Sequence, residues 1–152
     1  MCEYEGSHEG FTAKGNPGER DLMIMRDSTI LAIIEAVICG SPIHWQTVQN
    51  NLKTHFQRLL AYGTCRLFFH LTYVYGQDIQ RVIDQLKTTA ISDAPTGFAY
   101  LSAEDIALTD SRPNGFIAHY NDGQGDLKVV FLALNMGQEK QRAAAVASAS
   151  ST

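Results

Sequence analysis

The residue types best able to do chemistry are scattered along this chain. Its histidines are His8, His44, His55, His70 and His119. On one helix His44 and His55 would stand roughly 16 Å apart along the axis, too far to share a metal. His70 and His119 fall in segments of strand-like alternation. If those strands were neighbours, the two imidazoles could meet on the outer sheet face as a metal or acid–base pair. That would make a small enzyme using strand histidines. No carboxylate is placed by its spacing to orient either ring.

The late carboxylates are Asp93, Glu104, Asp105, Asp110, Asp122 and Asp126, with only Arg112 among cations beside them. Glu104 and Asp105 suit a helix N-terminus, where the dipole favours negative charge. Asp122 and Asp126 flank glycines as in a calcium loop, but the full spacing and the terminal bidentate glutamate are missing. There is no phosphate-binding loop, and Gly123-Gln-Gly125 lies between two strands rather than between a strand and a helix. Neither a G-x-S-x-G elbow nor an H-E-x-x-H pair occurs. We therefore assign no catalytic residue, no metal site and no cofactor.

One stretch has the opposite character. Between Glu35 and Asp78 there is no carboxylate, while Lys53, Arg58 and Arg66 stand among amides. Two readings fit. In the first, the three cations contact phosphates and Gln49 and Asn50 supply hydrogen bonds, as in a helix-turn-helix-like nucleic-acid-binding regulator. In the second, the stretch is a subunit contact, where acids are depleted because desolvating them is costly.

The elements that would position these residues follow from periodicity. Asp27 to Cys39 reads as a helix, capped by Asp27 or Ser28 and stopped by Gly40. Its residues Ile30, Ile34, Val37 and Ile38 belong to a face too wide for one stripe, so they are expected in the core or in a contact between subunits. A serine cap and proline at Ser41-Pro42 start a second helix, roughly Ile43 to Tyr62, ended by Gly63. From Cys65 to Tyr75 the period is two, the strongest strand signal in the chain, and Phe69 and Leu71 are expected to face inward. Asp78 caps a third helix carrying Ile79, Val82, Ile83 and Leu86 on one face. Phe98 to Leu101 reads as a short strand. Ser102 to Asp105 has the capping-box form and would start a short helix through Leu108. Phe116 to Tyr120 and Leu127 to Leu134 read as a hairpin around the glycines between them.

These elements predict an α+β fold: a three- to four-stranded antiparallel or mixed sheet with helices packed on one face. Residues 1–20 read as a flexible arm, 21–136 as a single compact domain, and 137–152 as a flexible Ala/Ser-rich tail. The sheet's other face would be left bare, to be covered by the oily first helix or by a second subunit.

Composition narrows the function. The chain has 152 residues, 45% apolar and 18% charged, with a net charge of -4. That is enough apolar content for an ordered core, and the charge argues against a protein that coats a polyanion with a basic face. No apolar run is long enough to span a bilayer. The first twenty residues are polar and acidic, unlike a secretory signal. Three widely spaced cysteines, Cys2, Cys39 and Cys65, do not form a disulfide framework. A cytoplasmic protein is expected. The reading these features favour is a non-enzymatic regulatory or adaptor protein, homo-oligomeric, working through self-association and protein partners, with nucleic acid as the alternative partner and no membrane.

Overall fold

The computed structural model of the protein describes residues 3–5, 22–40, 43–62, 65–109 and 112–137. Side chains are described for 22–40, 43–62, 65–106 and 114–137. The elements are β1 (Glu3–Glu5), β2 (Leu22–Arg26), β3 (Thr29–Gly40), α1 (Trp45–Ala61), β4 (Leu67–Tyr75), α2 (Ile79–Ser92), β5 (Ala99–Thr109), β6 (Arg112–Asn121) and β7 (Asp126–Asn135). The α+β class holds, but the sheet is larger than expected. It is mixed, with seven strands in the order β1-β2-β3-β4-β7-β6-β5.

The largest correction is β3. The run from Asp27 to Cys39 is a strand, and its supposed cap is a turn. Asp27 (φ 48°) and Ser28 (φ 65°) both take left-handed backbone angles and join β2 to β3 as an antiparallel hairpin. Two consecutive positive φ values match the right-handed twist of the flanking strands. Half of β3 is β-branched: Thr29, Ile30, Ile33, Ile34, Val37 and Ile38. Such side chains fit a pleated surface better than a helix. A central strand apolar on both faces reads as a continuous run, which imitates a helix that is oily all round.

β3, β4 and β7 run parallel at the centre. The crossover from β3 to β4 passes through α1, and the path from β4 to β7 includes α2. Both steps move the same way across the sheet, and the right-handed preference of such crossovers puts both helices on one face. They touch there, with Gln49 of α1 donating to Gln85 of α2 at 2.7 Å. After α2 the chain passes to the far edge and returns as the antiparallel meander β5-β6-β7. The segment from Ser102 to Leu108 is therefore part of β5 and not a helix. Bulges near Ser102 and Ala107 interrupt its alternation.

The α2 start is as read from the sequence, with Asp78 accepting a hydrogen bond from the Arg81 backbone N–H at 2.9 Å. Helix α1 lies within the expected bounds. Ser41, Pro42 and Gly63, expected to delimit it, lie outside the described residues, as do most of the proposed arm and tail. Glu3–Glu5, inside the proposed arm, pairs with β2.

The core lies between the helices and the sheet. Val48, Leu52, Phe56, Leu59 and Leu60 of α1 and Val82, Ile83 and Leu86 of α2 pack on Phe68, Phe116, Val129 and Phe131. Each such side chain contributes about 1.5–3 kcal/mol by leaving water. Cys39 and Cys65 are buried free thiols. Burial pushes the Cys39 thiol up to about 11, so it behaves as a small apolar side chain. Gly115 is obligatory in β6, because a Cβ there would lie 2.2 Å from the backbone carbonyl oxygen of Phe131.

Candidate functional site

The sheet's two faces are built from alternate residues, and they do not divide as the sequence suggests. On β4 the side chains under the helices are Phe68, His70, Thr72 and Val74, all buried. Leu67, Phe69, Leu71 and Tyr73 point the other way and are partly exposed. The expectation that Phe69 and Leu71 face inward is therefore wrong. The strand alternates as its sequence predicts, but the helices cover the opposite set. The reason lies in α1 and its neighbouring strand β3, which supply polar partners under the helices.

Those partners form a buried polar cluster. Glu35 on β3 is in register with His70 on β4 and is fully buried. His55 and Arg58, one turn apart on α1, both reach Glu35 Oε1. His55 Nδ1 lies at 2.5 Å and Arg58 Nη1 at 3.3 Å. Glu35 Oε2 and His70 Nε2 have no hydrogen-bond partner among the described residues. His70 Nδ1 lies 3.3 Å from the Thr72 hydroxyl, and its ring packs tilted on Phe131. Burial, and then the nearby charge of His55, hold the His70 imidazolium down to about 3. His70 is therefore neutral at neutral pH and cannot act there as a protonated acid. Tyr62 also senses the cluster, since burial and then the Glu35 carboxylate raise its phenol.

His70 and His119 do not meet. His70 faces the helices. His119 is on β6, two strands away, and faces the opposite side. Its Nε2 lies 3.3 Å from Glu104 Oε1. Ser102 is in register with His119, but no hydrogen bond joins them among the described residues. A serine not bonded to its base is not an activated nucleophile. No group of three or more His, Cys, Asp or Glu side chains among the described residues is placed to hold a metal ion.

The acid-free stretch has a structural explanation. Its cations are paired with carboxylates from elsewhere in the chain. Lys53 meets Asp93 at 2.9 Å, Arg58 meets Glu35, and Arg66 meets Asp122 at 2.7 Å. Gln49 and Gln57 bind α2 and the residue after it, through Gln85 and the Asp93 carbonyl. Asn50 accepts from Gln46. Lys53, Arg58 and Arg66 are thus directed to three separate partners. Asp122, suspected of a calcium loop, accepts backbone N–H groups from Gln124 and Gly125 as well as Arg66. The Gln124 backbone bond first, and then the Arg66 guanidinium, hold its carboxyl below the usual range.

A groove of about 210 Å³ lies between α2 and β5, walled by Lys87, Ile91, Tyr100 and Asp105 over Phe116. Lys87 and Asp105 close across it at 2.6 Å. It is smaller than the roughly 300–1,000 Å³ of most ligand sites.

The remaining feature is the open face of the sheet. No helix or strand among the described residues packs on it. β2 contributes Leu22 and Ile24, and β3 contributes Ile34, Ala36 and Ile38. β4 adds the four residues named above, and β7 adds Val130, Leu132 and Leu134, with Ile117 from β6. Ile38 is 54% exposed. Of the four residues expected in a core or contact, Ile34 and Ile38 lie on this face, Val37 is in the core, and Ile30 packs against the core from beside the bulge between β2 and β3. Sequence reasoning missed Phe69, Leu71, Leu132 and Leu134 as surface residues. The signal was present as strands apolar at both odd and even positions. No helix among the described residues is long and apolar enough to cross a membrane. Compared with known proteins, the chain matches no family model, no curated protein and no solved structure.

Proposed function

We propose that this is a non-enzymatic regulatory or adaptor protein that binds protein through the open face of its sheet. One observation carries the reading. On β3 and β4 the polar residues Glu35, His70 and Thr72 lie under the helices, while Ile34, Ile38, Phe69 and Leu71 lie on the bare side. A half-solvated sheet normally alternates the other way. A contiguous, partly exposed apolar patch of this extent supports reading it as an interaction surface. The nucleic-acid alternative lacks comparable support, because Lys53, Arg58 and Arg66 are each paired with a carboxylate. The histidine-enzyme reading lacks it too, since His70 is sealed and neutral and His119 has no activated nucleophile beside it.

The test is a photo-crosslinking amino acid at Ile38, with the same probe at Gln80 on the exposed side of α2 as control. Irradiation in cells should give protein adducts at Ile38 and not at Gln80. Equal background at both positions, with normal protein levels, would refute the reading.

A further inference from the structure

We infer that the occupant of the open face is a second copy of this chain, so that two sheets pack face to face around a second core. The inference rests on reading that face as an interface, and three observations select the occupant.

The first is size. The apolar zone is five strands wide, from β2 to β6, and at its centre the register runs over about eight residues. At ~4.8 Å between strands and ~3.3 Å per residue this is about 24 by 26 Å, or about 600 Å² in projection. Side-chain relief raises the accessible area toward the roughly 800 Å² per partner of a standard stable interface. Paired sheets pack about 10 Å apart at about -30°, a geometry open to twisted faces of this kind.

The second is charge. A twofold contact brings each group near the axis close to its own copy, so like charges oppose self-association. The central strands β3, β4 and β7 present no charged side chain to this face except Asp126 and Lys128, both at the start of β7. His119 and Glu104 lie farther out on the margin. A second copy meets no repulsion at the centre, and a charged partner would find nothing there to pair with.

The third is composition. Residues 1–2, 6–21 and 138–152 hold only Met1, Phe11 and Val146 as large apolar side chains. Three such residues are too few to match an apolar face five strands wide.

Sedimentation equilibrium of the full chain at micromolar concentration tests this. The expected mass is twice 16.8 kDa. Ile38→Lys should halve it with the circular dichroism spectrum unchanged, because Ile38 is more than half exposed and does not hold the monomer together. Tyr73→Glu should do the same. A wild-type mass of 16.8 kDa would overturn the inference, as would a dimer that neither substitution affects. If the chain is monomeric while the Ile38 probe still captures a different protein, the second copy is wrong and the association reading stands. If the chain is monomeric and the probe captures nothing, both fall.

Discussion

Removing Arg58 should destabilise the protein more than neutralising Glu35, although the two form one ion pair. The asymmetry comes from burial. Glu35 has no exposed side-chain surface, whereas a third of the Arg58 side chain reaches solvent. Without Arg58 the carboxylate stays sealed, with His55 as its remaining partner on Oε1. Without the carboxylate, the guanidinium can turn to water. Leaving one member of a buried pair uncompensated costs about 3–5 kcal/mol. Because Arg58 is partly screened by solvent and His55 still holds Glu35, Arg58→Met should cost about 2–3 kcal/mol. Glu35→Gln keeps an acceptor for Arg58 and should cost about 1–2 kcal/mol. Total stability is about 5–15 kcal/mol and a urea slope is about 1–3 kcal/mol per molar, so Arg58→Met should move the midpoint by about 1 M. The assay is urea unfolding followed by far-UV circular dichroism at pH 7. If Glu35→Gln lowers the midpoint more than Arg58→Met, the carboxylate is not the sealed partner. The combined variant Glu35→Leu, His55→Leu, Arg58→Met should recover the wild-type midpoint, because apolar groups of similar volume carry no desolvation cost.

Other expectations follow from the same contacts. The folded protein holds the His70 imidazolium near 3, while the unfolded chain protonates near the ordinary 6.5. The contribution of His70 is then complete above pH 6.5 and is lost as pH falls toward 3, at up to about 1.4 kcal/mol per pH unit. Unfolding midpoints at pH 7, 6 and 5 should show this loss, and His70→Asn should flatten it. Phe68→Ala should cost about 3–5 kcal/mol, while Phe69→Ala should cost clearly less in a monomeric background such as Ile38→Lys. Equal losses in thermal melts would contradict the assignment of faces. Ser28→Gly should raise the melting temperature, since Ser28 has φ 65° and glycine removes the cost of about 1–2 kcal/mol of a left-handed residue. Gly115→Ala should lower it sharply, because the added methyl collides with backbone.

How much of this was legible in the sequence depends on which physical signal each element carries. Helix α2 and strand β4 were readable because each has a single strong period, and Asp78 caps α2 as its type predicts. Strand β3 was not, because burial on one face and apolar exposure on the other erase the period-two contrast. Its β-branched content was the remaining signal, and it outweighed the cap-like Asp27-Ser28 and stop-like Gly40 that imitate helix ends. Strand β5 hides its type for a local reason: its bulges break the alternation and Ser102 to Asp105 resembles a capping box. The polar cluster was the least visible part. Glu35 and His70 meet only because β3 and β4 are parallel neighbours in one register, a non-local fact that spacing along the chain does not encode. The same holds for the cations, whose carboxylates come from 23, 40 and 56 positions away for Arg58, Lys53 and Arg66 (58-35, 93-53 and 122-66).

The alternation of β4 gives the last step. Turning that strand over by one residue would place Phe69 and Leu71 under the helices and His70 and Thr72 in solvent, as its sequence alone suggests. That arrangement would strip Glu35 of its neighbour in register and set two large side chains where the chain now packs an imidazole and a hydroxyl. More tellingly, turning over β4 alone would not make the open face polar. Ile34 and Ile38 on one side and Val130, Leu132 and Leu134 on the other would still line it. The apolar character of that face belongs to several strands that are distant in sequence, so it is not the accident of one register. A sheet apolar on both sides is a middle layer, and a middle layer with helices on one face calls for a third layer on the other.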